Sequence, residues 1–268
     1  MNKYFNKHTT VLITGASSGI GKELSTLLIK EYGATVFGSG RNIEKLNLVK
    51  EALGESFICL PFDAGSLSEW ERVYNYFYEN GLKLNCVINC AGVLPAFSKF
   101  NKNYYEENKS VLEINLNSVI YSASTMLPLL NESENPIMIN VSSSSALCPF
   151  AGVSLYTATK SAVTAFSESL SCENDKVKVV TVMPGFTKTN VMRSQTATEK
   201  EMGLIDKISN NAEKVAKIII KKSPKKRRII IGADAHFMNF LYKFFPSSAP
   251  RFLTWFIKKT KMKIFEKI

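Results

Sequence analysis

The sequence predicts an α/β fold: a doubly wound, parallel, seven-stranded sheet with helices on both faces. Three observations carry that expectation. Short apolar runs alternate along the chain with segments whose apolar residues recur at helical spacing, the pattern of successive β-α-β units. The first run passes directly into a glycine-rich turn, where a strand hands over to a helix. The chain's 268 residues suit one large domain, with no internal repeat, long low-complexity stretch or obvious linker.

In order, the strand-like runs are residues 11–13, 35–37, 57–60, 86–89, 137–141, 177–182 and 228–231. Behind the first, Ile20, Leu24, Leu27 and Leu28 recur at helical spacing, so a helix starts near Gly19. The connecting turn is Thr14-Gly15-Ala16-Ser17-Ser18-Gly19-Ile20-Gly21. Glycines here give a tight bend, close backbone approach to a pyrophosphate, and close helix–strand packing. The helix N-terminus adds unpaired N–H groups and a positive dipole end. In isolation the same residues describe an ordinary Gly/Ser turn, and the spacing departs from the common G-x-G-x-x-G pattern.

A second segment carries chemistry. Tyr156 and Lys160 lie four apart near the start of a helix striped by Leu155, Ala158, Ala162, Val163, Phe166 and Leu170. That spacing puts both side chains on one face. A free tyrosine has a pKa of ~10, too high for efficient proton exchange at neutral pH. A neighbouring ammonium favours the phenolate; a shift of about three units corresponds to roughly 4 kcal/mol. The pair alone is also what a solvated helix surface offers.

Together and in this order, the two segments resemble the short-chain dehydrogenase/reductase family, single-domain type with a Tyr-x-x-x-Lys active site. Further motifs follow in sequence: Asp63 after the third strand; Asn89-Cys90-Ala91-Gly92 after the fourth; Asn115; Ser143, thirteen residues before Tyr156; and Pro184-Gly185 with Thr187 and Thr189 behind it. The resemblance covers residues 8 to 232 and implies a Rossmann-like domain that moves a hydride to or from a carbonyl. It implies that Tyr156 exchanges a proton with the substrate oxygen, that Lys160 binds the nicotinamide ribose and lowers the tyrosine pKa, that Ser143 hydrogen-bonds the substrate oxygen, and that Asn115 holds a water in the proton relay. By the same resemblance, Gly15, Ser17, Ser18, Gly19, Ile20, Gly21, Asp63, Asn89, Ala91, Gly92, Pro184, Gly185, Thr187 and Thr189 hold the cofactor, with Tyr156 and Lys160.

Cofactor choice is read at the end of the second strand. An NAD site there needs an acidic side chain for the ribose hydroxyls, whereas an NADP site places an arginine against the 2′-phosphate. Residues 34–42 hold no Asp or Glu but contain Arg41, whose guanidinium can grip a phosphate with two parallel hydrogen bonds. The expectation is NADP(H) rather than NAD(H).

Five cysteines (Cys59, Cys86, Cys90, Cys148, Cys172) form no C-x-x-C pair and lie far in sequence from His8 and His236. Reduced thiols without a metal site are expected, in a cytoplasmic protein with no secretory signal.

Charge divides the chain unevenly. Residues 1–220 hold 21 Lys/Arg and 21 Asp/Glu, while residues 221–268 hold 13 Lys/Arg against Asp234 and Glu266. We therefore divide it into a dinucleotide-binding catalytic domain, 1–234, and a basic aromatic C-terminal extension, 235–268. Three readings of the extension compete: peripheral contact with an anionic membrane, capping of the substrate pocket or a subunit interface, and nucleic-acid binding, for which no reading motif accompanies the charge. Its apolar runs fall far short of the ~20 residues a span needs.

The loops the family places round the substrate are apolar here: residues 93–97, residues 146–150, and Phe186, Val191 and Met192. They suit a hydrophobic ketone or secondary alcohol, steroid or lipid-like. A 3-oxoacyl thioester is the rival substrate, and a non-catalytic NADP-binding regulator the rival class. The resemblance implies a homo-oligomer, dimer or tetramer.

Overall fold

Val11, Leu12 and Ile13 are completely buried, and around them the chain builds its sheet. The computed structural model describes residues 3–101, 104–189 and 199–268. Seven strands, β1 (Thr10–Thr14), β2 (Thr35–Ser39), β3 (Phe57–Cys59), β4 (Cys86–Asn89), β5 (Ile137–Val141), β6 (Lys178–Pro184) and β7 (Arg228–Ile231), pair in the order β3-β2-β1-β4-β5-β6-β7. Every pairing is parallel. Each strand falls where the apolar runs predict it, within two residues at either end. β3 stops at Cys59 because Pro61 follows and cannot donate to a ladder. β6 runs on to Pro184, which tolerates the last place in a strand for the same reason.

Alternation along each strand feeds two apolar layers. Val11 and Ile13 of β1 face the layer that holds Leu24 and Leu28 of helix α1 (Gly19–Tyr32). Leu12 faces the opposite layer, with Trp70 and Phe77 of α3 (Leu67–Glu79). The short helix α2 (Ile43–Leu53) covers the β2 side, and its Leu46 and Val49 join the first layer. Burial of both faces explains why β4 and β5 carry no exposed residue.

Winding reverses between β1 and β4. Loops leaving these neighbours diverge, and a crevice opens at the carboxyl ends of the strands. The apolar register gives way there to polar residues: Ser39, Thr14, Asn89, Asn140 and Thr181 stand side by side on five adjacent strands, all buried.

Beyond α4 (Tyr104–Asn108), a short helix α5 (Ser110–Leu112) runs through a π-helical stretch, Glu113–Asn117, into α6 (Ser118–Glu132). Helix α7 (Ser154–Glu173) follows β5; α8 (Glu199–Ile208) and α9 (Ala212–Lys222) precede β7. The C-terminal residues form α10 (Ala233–Phe244), α11 (Ala249–Lys259) and a 3₁₀ turn, Lys263–Phe265. Met238 of α10 and Ala249 and Leu253 of α11 meet around buried Cys148. The final turn folds back, so that Ile264 and Ile268 pack with Phe97 and Val153.

Two basic blocks that are close in sequence lie at opposite ends of the sheet. Residues 221–228 sit at the entry to β7, where Arg228 pairs with Glu168 at 3.3 Å and Arg227 donates to Ser171 Oγ. Residues 243–267 follow the exit of β7, at the end where the crevice opens.

Candidate active site

The crevice is a cavity of about 360 Å³ reaching from Arg41 and Asp63 at one end, past Gly15 and Gly19, to Tyr156 and Phe150 at the other. The glycine turn shapes its near wall. Gly15 adopts φ +71°, and a Cβ there would stand 3.0 Å from the Ala91 Cα, so only glycine lets the β1 and β4 loops close on each other. A Cβ on Gly21 would fall 2.3 Å from the Gly15 carbonyl oxygen. The Thr14 hydroxyl oxygen accepts from the Cys90 and Ala91 backbone N–H groups, each at 3.1 Å, and clasps the same loops from behind. Ser18 caps α1 in extended geometry without spending its hydroxyl on the helix. The first-turn N–H groups and that hydroxyl form a site of the kind that takes a pyrophosphate.

At the outer end, Ser39, Gly40 and Arg41 leave β2, and Phe62, Asp63 and Ala64 follow β3; all six line the crevice. One Asp63 carboxylate oxygen accepts from Gly65 N–H at 3.0 Å, which fixes the turn. The wall therefore offers donors for phosphates, a cation at the β2 end and an acidic residue beyond it, a set that fits a nicotinamide dinucleotide.

Tyr156 and Lys160 enter from the first turns of α7, whose Leu170 and Phe166 pack into the core. The Ser143 hydroxyl lies close enough to the Tyr156 phenol to favour its charged form. Ser143 is held by the turn after β5, where its Oγ accepts from Ser145 N–H at 3.2 Å. Lys160 is buried; its Nζ donates to the Val141 carbonyl at 2.9 Å and lies 6.0 Å from the centre of the Tyr156 ring.

The expectation that Lys160 lowers the Tyr156 pKa is not met. Burial pushes the phenol above its ordinary value, offset only in part by Ser143. Burial also pushes Lys160 down to about 8, against the opposing pull of Cys90. Desolvation is the largest influence in both cases. The neighbouring Cys90 thiol is itself pushed up to about 12, an unreactive filler.

Asn115 is bonded to a wall of the crevice. Its amide oxygen accepts from Val93 N–H at 2.8 Å and its amide nitrogen donates to the Val93 carbonyl at 2.9 Å. The side chain is thus committed to the loop after β4, and the π-helical stretch points it there. It acts as a positioning residue for that loop. Asn89 is turned away: its Nδ2 donates to Asn140 Oδ1 at 2.8 Å, below the floor of the crevice. The remaining sequence-predicted residues, namely Gly15, Ser17, Ser18, Gly19, Ile20, Gly21, Arg41, Asp63, Ala91, Gly92, Ser143, Tyr156, Lys160, Pro184, Gly185, Thr187 and Thr189, all line it.

The segment from Pro184 to Thr189 is held on two sides by residues that sequence reasoning missed. Asp234, in the first turn of α10, accepts from Phe186 N–H at 2.7 Å. Asn210 exchanges backbone bonds with it and donates its amide to the Phe186 carbonyl at 2.9 Å. An aspartate one residue into an apolar helix after a glycine was the signal that could have found the first.

The apolar end is lined by Val93, Leu94, Phe97, Phe150, Val153 and Phe186, with Ile264, Phe265 and Ile268 packed behind them. Six residues expected there do not line it: Pro95, Ala96, Ala146 and Pro149 are missing from the wall, Leu147 packs against Met183 and Ala235, and Cys148 packs against the C-terminal helices. Val191 and Met192 lie outside the described residues. Among the described residues, no group of three or more His, Cys, Asp or Glu is placed to hold a metal ion.

Comparison with known proteins agrees with this geometry. The family described as short chain dehydrogenase matches residues 9–212. An uncharacterised oxidoreductase of Staphylococcus aureus strain USA300 is 32% identical over 193 residues, spanning 71% of this chain and 83% of that protein. One from Staphylococcus saprophyticus is 28% identical over 214 residues, 78% of this chain and 85% of its own. Among solved structures, a short-chain dehydrogenase from Streptomyces avermitilis superposes with a TM-score of 0.77 at 23% identity, over 94% of this chain and 97% of its own. The closed form of serine dehydrogenase complexed with NADP+ gives 0.75 at 22%, over 83% and 94%. A relative from Burkholderia phymatum in complex with NAD gives 0.77 at 18%, over 91% and 95%.

Proposed function

Because the chain belongs to the short chain dehydrogenase family and is a nicotinamide-dependent oxidoreductase, we propose that it interconverts a hydrophobic ketone and its secondary alcohol, steroid or lipid-like, with NADP(H). The observation that carries this reading is the convergence of Tyr156, Ser143 and Lys160 on one stretch of the crevice wall, at the foot of an apolar pocket. Two hydroxyls lining the same stretch of wall can both address one substrate oxygen.

In reduction, Tyr156 gives its proton to the carbonyl oxygen while Ser143 donates a hydrogen bond to it; in oxidation Tyr156 takes the proton back. Burial keeps the phenol protonated at neutral pH, the state required of the acid in reduction. Lys160, 6.0 Å from the centre of the Tyr156 ring and next to Gly92, would hold the nicotinamide ribose. The bound nicotinamide supplies or accepts the hydride. Asn115 fixes Val93, and Asp234 fixes Phe186, so the two loops that flank the reacting atoms are held at their backbones.

Preference for NADP(H) rests on Arg41 at the end of β2, where residues 34–42 place no carboxylate to repel a 2′-phosphate. Preference for an apolar substrate rests on the six aliphatic and aromatic side chains beyond Tyr156. The test is oxidation of NADPH and of NADH by the purified protein, against steroid, long-chain and 3-oxoacyl-thioester ketones. NADPH-linked turnover of a steroid or long-chain ketone supports the proposal. Turnover confined to the thioester replaces the substrate class, equal use of NADH removes the role given to Arg41, and cofactor binding without any turnover points to a regulator.

A further inference from the structure

Helices α10 and α11 each bury one narrow face and expose the other. Met238 of α10 and Ala249 and Leu253 of α11 all turn inward to Cys148. Phe237, Phe240 and Phe244, spaced along the outer side of α10, are about half exposed, as are Phe252, Trp255 and Phe256 on α11. Phe245, in the connection between them, is 53% exposed. Large aromatics at this density on two consecutive helices are not ordinary solvated surface, and an exposed apolar patch of this extent marks an interaction site.

The charge beside them selects the occupant. Residues 235–268 carry Lys243, Arg251, Lys258, Lys259, Lys261, Lys263 and Lys267 against one acidic residue, Glu266. Lys259 lies over the Trp255 ring at 4.9 Å, and Lys243 over Phe244 at 5.5 Å, so cations and rings share one surface. A second copy of this chain would bring the same positive charge to the contact. An anionic bilayer offers what both parts need: negative headgroups for the lysines and acyl chains for the rings. No helix among the described residues is long and apolar enough to cross a membrane, which leaves the interface plane.

We infer that α10 and α11 dock this protein on anionic phospholipid bilayers through their aromatic outer faces. The docked face adjoins the site. Between α11 and the start of α7 lies a groove of about 620 Å³, floored by Pro149, Ala151 and Trp255 and edged by Arg251 and Lys258. Phe150 lines both this groove and the apolar end of the catalytic crevice. A bilayer-borne substrate thus meets the enzyme one side chain away from its pocket. Docking itself does not depend on the substrate proposed above.

Flotation of the full chain with vesicles tests the inference, using phosphatidylcholine alone beside phosphatidylcholine mixed with phosphatidylglycerol. The protein should float with the anionic vesicles at low salt and be released at high salt. Of the two tryptophans, Trp70 is fully buried and Trp255 is 55% exposed, so a blue shift in emission on binding reports Trp255. Lys258→Gln with Lys259→Gln should weaken partitioning by about twenty-fivefold, about fivefold per lysine at ~1 kcal/mol each. Phe252→Ser with Trp255→Ser and Phe256→Ser should abolish flotation while leaving the protein folded by circular dichroism, since each of the three side chains is about half exposed. Failure to float with anionic vesicles at low salt overturns the inference, as does equal flotation of the triple variant. Self-association of the free protein that the triple variant abolishes, without vesicle binding, assigns the face to a second copy.

Discussion

Asn115 and Val93 exchange two hydrogen bonds, side chain to backbone in both directions, at 2.8 and 2.9 Å. The pair ties the helix that follows α5 to the loop leaving β4, and the loop forms one wall of the pocket that Tyr156 serves. A side chain of this kind sets the position of reacting groups without touching them.

Replacing it tests that role. Asn115→Leu fills the same volume but leaves the Val93 N–H and carbonyl without their partner in a half-buried place. Stability should fall by about 3 kcal/mol, read from the denaturant midpoint. Turnover should fall too, with KM for substrate raised as the pocket wall loosens. A variant as stable as the parent would remove Asn115 from the frame of the site.

Tyr156→Phe removes one oxygen from the site. The proton has no other donor at the Ser143 end, so kcat should drop by roughly 10²–10⁴-fold. Cofactor affinity, measured by quenching or enhancement of nicotinamide fluorescence, should hardly change. Unchanged turnover would refute the proposed chemistry.

Lys160 gives a prediction in pH. Its folded-state pKa, about 8, lies below the ordinary lysine value of 10.5. Below about pH 8 the folded protein carries a buried ammonium, at a cost of about 3 kcal/mol relative to the unfolded chain. Between pH 8 and 10.5 the unfolded state binds more protons, so the cost fades as pH rises. Lys160→Met lacks the group. Its thermal midpoint relative to the parent should therefore be highest near pH 7 and decline steadily towards pH 10.5, on top of a constant loss from the Val141 carbonyl. A difference independent of pH would show that Lys160 titrates normally.

Arg41 and Gly40 govern the cofactor in the proposed reading. A Cβ at Gly40 would meet the Ser17 hydroxyl at 3.3 Å and no backbone, so an aspartate can be accommodated by a small side-chain shift. Gly40→Asp with Arg41→Asn should move the NADPH-to-NADH ratio of kcat/KM towards NADH by at least tenfold. If the preference for NADPH persists, the phosphate is held elsewhere.

Much of this architecture is written locally. Runs such as Ile137 to Val141 are long enough and apolar enough to be strands in any context, and Gly15, Gly19 and Gly21 advertise a turn that must pass close to a ligand. What escaped the sequence depends on partners far along the chain. Asp234 bonds Phe186 across 48 residues and the Thr14 hydroxyl reaches Ala91 across 77; neither pair leaves a periodic trace. Leu147 and Cys148 looked like pocket wall because they stand between Ser143 and Tyr156, but the turn after β5 rotates them into the core. The pKa of Tyr156 was misjudged for a related reason. Proximity to Lys160 can be read from four-residue spacing, whereas the degree of desolvation cannot.

The π-helical turn at Glu113–Asn117 has a consequence for the length of the chain at this point. It accommodates one residue more than an ordinary α-helical path through the same hydrogen-bonding groups. Shortening the run by a single residue would let the helix heal into regular geometry with no loss of backbone bonds. Because β4 and β5, on either side of the stretch, are paired in one sheet, the change would fall on the residues of the stretch itself, and Asn115 could no longer face Val93. The insertion acts as a spacer that trades helical regularity for aim, and a deletion variant could be better ordered here yet catalytically silent.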